Sequence, residues 1–488
     1  MGFKTDTSFL KYLTMGAVGV RSVIDALRAQ GFEPIELERY CGSNKLWMTK
    51  LKRLRLPDLL CIRSGLRLEV RAKSALEIKM SDAPGNAERT WDAGLRDDDL
   101  IAFIVVQERG AGFAAASPPA LFSVATLRAS AGLSKLGEPK SADEGAERGR
   151  TWGSVVPKRP GVVTAVDSGR LVVRHSGDGR PERPQTYKLS GRHSYVKVGD
   201  KFEAGTAFLA GLPASMASLG PYRARAYAPL AELESPNAID RYAAAKAIRH
   251  RGNRDVAVQA ALDAQMFVEM DERVRLEIAA ASAGLGSGLG QEYISQELRD
   301  GERADLKMEA VLILTEIGDG FARQELKFVA QDPRYRGQEI RQAALWGLGK
   351  KGLKAYADLV AFVADEDEQV AMHAITAFGN DAPQQVVHAL VAELVGGDPR
   401  KAAAASEALR VVGSDLVARE LVDAATGPNS DWVVATLGRM PSQSVARAIT
   451  SGDLRTRVAP LLLLGADANW LATGSRVDDM AFLARQDI

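Results

Sequence analysis

Cysteine is nearly absent from this chain: two in 488 residues, Cys41 and Cys61. A disulfide framework is thereby excluded, and a reducing, cytoplasmic home is expected. Histidine is scarce as well. His175, His193, His250, His373 and His388 are scattered, with no HExxH pair and no CxxC pair, so zinc hydrolysis has no support. No GxxxxGK[ST] loop occurs, which removes nucleotide-driven motor action. Apolar runs such as residues 461–464 are far shorter than the ~20 residues of a membrane span. The N-terminus lacks a long apolar stretch, so neither a leader nor a membrane partner is expected. What remains is an ordinary globular profile, 46% hydrophobic and 26% charged. Its length suits about three domains.

Charge is nearly balanced overall, at +1, but unevenly spread. Residues 1–75 hold fourteen Lys/Arg against seven Asp/Glu. Within them, residues 45–55 place Lys45, Lys50, Lys52, Arg53 and Arg55 around Trp47. Such a flank suits a phosphate backbone. A solvated loop or helix face would look the same.

That basic run leads into residues 56–73, Leu-Pro57-Asp58-Leu-Leu-Cys-Ile-Arg-Ser64-Gly65-Leu-Arg-Leu-Glu69-Val-Arg71-Ala-Lys73. Residues 59–62 are apolar, Ser64-Gly65 is a turn signal, and residues 66–73 alternate, so the stretch reads as a β-hairpin. Strand periodicity puts Glu69, Arg71 and Lys73 on one face, with Leu68, Val70 and Ala72 on the other. A pivot at Ser64-Gly65 brings Asp58 opposite the Glu69–Arg71 region. Two carboxylates beside cations can hold Mg²⁺ and activate water against a phosphodiester. Taken singly, an aspartate before a strand is also a common turn residue, and Glu/Arg alternation is also ordinary cross-strand pairing.

This stretch resembles the PD-(D/E)xK nuclease superfamily. Pro57-Asp58 matches its first motif and Glu69-Val70-Arg71 its second, with arginine where lysine is usual. Arginine does not readily lose a proton and its fork suits phosphate; Lys73, one step along the same face, is the substitute. Glu77-Ile78-Lys79 is a rival spelling, ranked second because it lies beyond the hairpin pairing. The resemblance covers roughly the first 110 residues. A helix is expected over 17–31, a strand over 34–39, the hairpin, a helix over 89–96 and a buried strand over 100–107. That α-β-β-β-α-β order is the superfamily's core. The resemblance implies metal ligation by Asp58 and Glu69, with Glu38 or Glu36 as a further acid, and Mg²⁺ or Mn²⁺ as cofactor.

Residues 110–150 shift to Ala, Gly, Ser and Pro, and residues 136–150 read as a linker. Residues 120–131 are expected to pack on the first domain. From Trp152 the pattern becomes β, with strands expected on either side of Asp167-Ser168-Gly169 and around Tyr187. The spelling from Val196 to Gly211 resembles a barrel-sandwich hybrid, and residues 156–211 resemble the matching segment of bacterial RNA polymerase β subunits. No lysine stands on a tight hairpin as in prosthetic-group carriers. Arg159, Arg170, Arg174 and Arg180 are candidate nucleic-acid contacts, though strand ends in solvent explain them as well.

From about Asn237 the chain becomes self-similar. Gly252, Gly286, Gly318, Gly349, Gly379 and Gly413 recur in steps of 30 to 34 residues, each after an apolar helical stretch. Such a period means an α-solenoid, because one helix pair cannot bury its apolar face alone. The wording around Asp271–Arg275 and Gln338–Arg341 resembles HEAT repeats. Arg275, Lys307 and Arg341 read as ladders to neighbouring acids rather than DNA contacts, and the acid-rich surface suits a protein partner.

The expected layout is therefore a restriction-endonuclease-like α/β domain (1–135), a linker (136–150), a small all-β module (151–235) and a HEAT-like α-solenoid (236–488). The expected function is a metal-dependent DNA endonuclease in bacterial defence or DNA processing. Catalysis falls to Asp58, Glu69 and Lys73 or Arg71, and DNA binding to the basic run. The alternative is a non-enzymatic scaffold with a degenerate nuclease-like domain, which Arg71 favours.

Overall fold

The computed structural model describes residues 7–37, 47, 49, 54–110, 112–140, 146–176, 184–350, 352–425, 430–440 and 442–448. Two compact units divide the chain. One comprises Asp6–Lys45 and Lys52–Gly286; the other comprises Met1–Thr5, Leu46–Leu51 and Ser287–Ile488. Among the described residues no helix is long and apolar enough to cross a membrane.

The first unit begins with α1 (Thr7–Arg28). Val20, Val23, Ile24 and Leu27 recur at helical spacing and are buried. Gly31, at φ +81°, turns the chain out of the helix. The strands β1 (Pro34–Glu36), β2 (Leu59–Cys61), β3 (Arg67–Lys73), β4 (Ile78–Asp82), β5 (Leu100–Arg109), β6 (Gly112–Ala115) and β7 (Ala120–Ser123) follow. Six of them form one mixed sheet in the order β1-β2-β3-β5-β6, with β7 also on β5. The β3–β5 pair is parallel, from Leu68 opposite Leu100 to Lys73 opposite Val105; the other pairs are antiparallel.

Alternation on β3 and β5 sorts the two faces of this sheet. Leu68, Val70, Leu100, Ala102, Ile104 and Val106 share a core with α1. The helix approaches so closely that a Cβ on Gly19 would stand 2.5 Å from that of Ala72. On the other face Ile101, Phe103 and Val105 pack with Trp91, Phe122 and Trp152.

Two expectations about the connections fail. Residues 89–96 are not a helix: a single 3₁₀ turn, Ala87–Arg89, is followed by turns. Long-range partners override the local preference there. The buried Asp82 carboxylate accepts the Trp91 N–H (3.2 Å) and the Arg150 Nε–H (2.5 Å). Trp91 then sits edge-on against Trp152, centroids 5.2 Å apart. Residues 136–150 are likewise not a plain linker. After α2 (Val124–Ala129), β8 (Ser134–Pro139) and β9 (Arg148–Trp152) build a second sheet on β4, in the order β4-β9-β8. Ile78 stands opposite Trp152 and Asp82 opposite Arg148, so the hairpin is fixed by its partner strand rather than by its own sequence.

A four-stranded antiparallel sheet follows, from β10 (Gly161–Val166), β11 (Arg170–His175), β12 (Pro184–Lys188) and β13 (Lys201–Phe202), ordered β12-β11-β10-β13. Asp167 makes the expected turn, its carboxylate accepting the Gly169 and Arg170 N–H groups. Arg170 is paired with Asp167, and His175 is buried against the Gln185 amide.

Helices α3 (Ala238–Arg251), α4 (Val256–Val268) and α5 (Glu272–Gly284) complete this unit. They join its α/β part directly. Lys246, fully buried, donates to the Leu37 carbonyl at 3.1 Å, and the Arg251 Nε–H reaches the Ile62 carbonyl at 2.9 Å.

From Gly288 on, the described residues of the second unit are helices and the turns between them. Its main helices are α6 (Gly288–Asp300), α7 (Ala304–Ile317), α8 (Gly320–Gln331), α9 (Glu339–Leu348), α10 (Glu368–Thr376), α11 (Gln384–Gly396), α12 (Pro399–Val412), α13 (Asp415–Ala424), α14 (Ser430–Gly438) and α15 (Ser442–Ala448). Packing is both sequential and alternating: α7 on α9, α9 on α10, α10 on α12 and α12 on α14. Across the two units, Gly252, Gly318 and Gly413 cap helices in the left-handed conformation, as their spacing predicted. Gly349 caps α9 at φ −80° instead. The basic residues serve structure. Arg341 forks onto Asp365 at 2.7 and 3.1 Å, Arg241 onto Glu269 and Arg299 onto Glu325. Arg275 donates to the Glu269 carbonyl, and the Lys307 ammonium lies over the Tyr335 ring.

Candidate active site

The hairpin forms as its sequence suggests. Leu59 stands opposite Leu68 and Leu60 opposite Arg67. Gly65 turns at φ +68° and donates its N–H to the Cys61 carbonyl at 2.9 Å. A side chain there would also strike the Tyr227 ring, 2.8 Å from the ideal Cβ position. Continuing the register by one residue places Asp58 opposite Glu69. The Val70 N–H donates to Asp58 Oδ2 at 2.6 Å, which fixes the carboxylate at the mouth of the hairpin.

Glu69, Arg71 and Lys73 lie on one face of β3, as period 2 requires, and all three line one cavity with Asp58. Its volume is about 380 Å³. Glu69 is paired with Arg71, Nη2 to Oε1 at 2.6 Å. Burial lowers the Lys73 pKa below the usual lysine range; Glu77 opposes that shift, while Lys79 and Arg71 add to it. Glu77 stands 3.7 Å from both Lys73 and Lys79 and is not on the cavity wall. The Glu77-Ile78-Lys79 spelling thus enters β4, a strand of the second sheet.

Of the basic run, Arg55 is described, and it lines the cavity. Its φ is +55°, a costly conformation for a side-chain-bearing residue, and its carbonyl packs where Gly94 has no Cβ. Lys45, Lys50, Lys52 and Arg53 fall outside the described residues, as does Glu38. Glu36 lies in β1 opposite Leu59. Cys61 is buried, and burial alone pushes its thiol up to about 12, which makes it inert. Among the described residues no group of three or more His, Cys, Asp or Glu side chains gathers as a metal cluster.

No family model matches the chain, and no curated protein does. Among solved structures, one described as an engineered protein is similar at 16% identity, over 52% of this chain and 93% of that chain, with a TM-score of 0.15. A likeness at that score carries no statement about fold or function.

Three residues on the cavity wall were not legible as site residues: Arg89, Ser81 and Glu147. Arg89 ends the 3₁₀ turn, Ser81 lies on β4, and Glu147 precedes β9, whose pairing with β4 carries it to the rim. Burial would raise the Glu147 pKa, but its bond to Ser81 and the charges of Lys140 and Arg89 hold it below the usual carboxylate range. The cavity therefore combines the carboxylates of Asp58, Glu69 and Glu147 with Arg55, Arg71, Arg89 and Lys73. Anionic phosphate is the ligand chemistry such walls suit.

Proposed function

We propose that the chain is a metal-dependent phosphodiester hydrolase, a DNA endonuclease of PD-(D/E)xK type, with its helical region serving target or partner recognition. The carrying observation is the placement of Asp58 and Glu69 across the β2–β3 pair, on the wall of one cavity with Arg71 and Lys73. The donor set fits the cofactor: two hard carboxylates from adjacent strands are the ligand type that Mg²⁺ or Mn²⁺ would take. When bound, such a cation polarises the phosphoryl oxygen and lowers the pKa of a coordinated water. Asp58 and Glu69 would hold it. Lys73, its pKa already lowered, orients the attacking water, and Arg55 and Arg89 neutralise the phosphate.

What supports a HEAT-like α-solenoid in the helical region is that helices pack on their second neighbours and that the left-handed caps Gly252, Gly318 and Gly413 stand near multiples of its period. A protein partner is the reading its acid-rich repeats support. The four-stranded sheet supports a small β module of barrel-sandwich type. Bacterial defence or DNA processing is the setting we infer for this combination.

A non-enzymatic scaffold is the second reading, favoured by the Arg71 guanidinium already seated on Glu69. Nicking of supercoiled plasmid separates the two. The wild-type chain should nick in Mg²⁺ and not in EDTA, and Asp58→Asn and Glu69→Gln should each lose about 10³-fold in rate. A wild-type chain inert in Mg²⁺ and Mn²⁺ would leave the scaffold.

A further inference from the structure

The Arg71–Glu69 pair sits at the centre of the candidate site. Arg71 Nη2 is 2.6 Å from Glu69 Oε1, with the side chains 32% and 13% exposed. Asp58 lies across the strand pair, fixed by the Val70 N–H. The guanidinium therefore supplies positive charge on the very carboxylate that a divalent cation would need. A cation and a guanidinium on one carboxylate repel each other, so metal capture at Glu69 requires Arg71 to swing away. The same cavity offers that fork another partner. Its wall is shared by Arg55, Lys73 and Arg89, so a phosphate group entering there meets convergent cations. Arginine matches phosphate as well as carboxylate, with two parallel N–H bonds.

We infer that Arg71 holds the place of the divalent cation on Glu69 and surrenders it to a phosphate of the bound nucleic acid, so that metal and substrate bind with positive coupling. This rests on the metal-site reading above and adds an order to it: without substrate the site stays closed to metal, which restrains hydrolysis of bystander phosphodiesters. Arginine in place of lysine in this motif is then a functional choice rather than decay. Lysine has a single ammonium and, on leaving Glu69, could not meet the phosphate with two parallel N–H bonds as a guanidinium can. Coupling is reciprocal, so metal must strengthen nucleic-acid binding by the factor by which nucleic acid strengthens metal binding.

Titration calorimetry of the full chain with Ca²⁺, alone and with a short DNA duplex, tests this without relying on cleavage. The wild type should bind Ca²⁺ about tenfold more tightly with duplex present, within the range of coupled sites. Arg71→Gln should bind Ca²⁺ about tenfold more tightly than wild type without duplex and should gain little more on adding it. Arg71→Lys, which keeps the charge, should stay weak toward Ca²⁺ alone. Circular dichroism checks that each variant folds, and the wild-type comparison stands even if one does not. Equal wild-type affinity with and without duplex, or no gain in Arg71→Gln, would overturn the inference while leaving the metal site. Absence of Ca²⁺ binding to every form under both conditions would remove the metal site and the inference together.

Discussion

The Arg67 guanidinium lies 2.9 Å from Asp240 Oδ1, with both side chains buried. Its other edge meets Asp99, Nε to Oδ1 at 2.8 Å. One arginine on β3 thus joins the start of β5 to the first turn of α3, two residues before Glu69. Arg96 also pairs with Asp240 and, at 3.2 Å, with Glu232. Replacing Arg67 takes the guanidinium from buried Asp99 and leaves Asp240 with Arg96 alone as its cation among the described residues. Arg67→Met should cost about 3–5 kcal/mol, read from urea unfolding. A loss under about 1 kcal/mol would mean that the acids find other partners.

His373 gives the second unit a dependence on pH. Its ring is fully buried beside Trp47, centroids 5.2 Å apart, and burial lowers its pKa to about 3. The unfolded imidazole titrates near 6.5, so between those values the unfolded state binds the extra proton. Stability is therefore complete above about pH 6.5 and falls as pH drops, by about 1.4 kcal/mol per pH unit from this group. His373→Leu should flatten the curve of unfolding free energy against pH over that window. An unaltered slope would refute the assignment.

Trp47 belongs to the same cluster, 1% exposed and edge-on to Trp346 at 6.3 Å. Thr49 donates its N–H and its hydroxyl to Glu339 Oε2 at 2.8 and 2.7 Å. Trp47→Ala should cost about 3–5 kcal/mol through the cavity it leaves, while Thr49→Ala should cost about 1.5–3 kcal/mol through a lost bond to a charged group. Thermal melts of the full chain should rank them in that order. A neutral Trp47→Ala would show that the basic run's aromatic residue is not a packing residue and return it to nucleic-acid contact.

Lys73 and Lys79 separate the two spellings of the motif. Lys73 shares the cavity with Asp58 and Glu69, whereas Lys79 sits on β4 of the other sheet. Lys73→Ala should slow plasmid nicking by about 10²–10⁴-fold, and Lys79→Ala by less than tenfold. The reverse ranking would move the site to Glu77.

The parts legible in the sequence are those whose signals are local. Ser64-Gly65 between an apolar run and an alternating one is a turn with a mechanism, and the register it sets brings Asp58 opposite Glu69. Gly318 and Gly413 end helices because a left-handed cap favours glycine. The rest depends on partners far along the chain. Residues 89–96 look helical until Asp82 and Trp152 claim Trp91. Ser134–Pro139, with its glycine and proline, becomes a strand because β9 offers it an edge. Arg89 and Glu147 reach the cavity by these same long-range pairings, which is why no motif announced them.

The basic run should act through counterion release. Lys50, Lys52, Arg53 and Arg55 directly precede Asp58, and Arg55 lines its cavity. Each phosphate contact they make adds about 0.9 to the magnitude of the slope of log K against log salt on duplex DNA. Charge reversal at all four should flatten that slope by about 2 to 4 units in fluorescence anisotropy with the full chain. Asp58 and Glu69 stay in place, so nicking at low salt should persist in a weakened form. The two effects separate because phosphate contacts set affinity while the carboxylates set chemistry. An unchanged slope would show that the run is a solvated surface. Arg71, Lys73 and Arg89 inside the cavity would then be the described cations left to meet the phosphate backbone near Asp58, and the salt dependence left over would measure them directly.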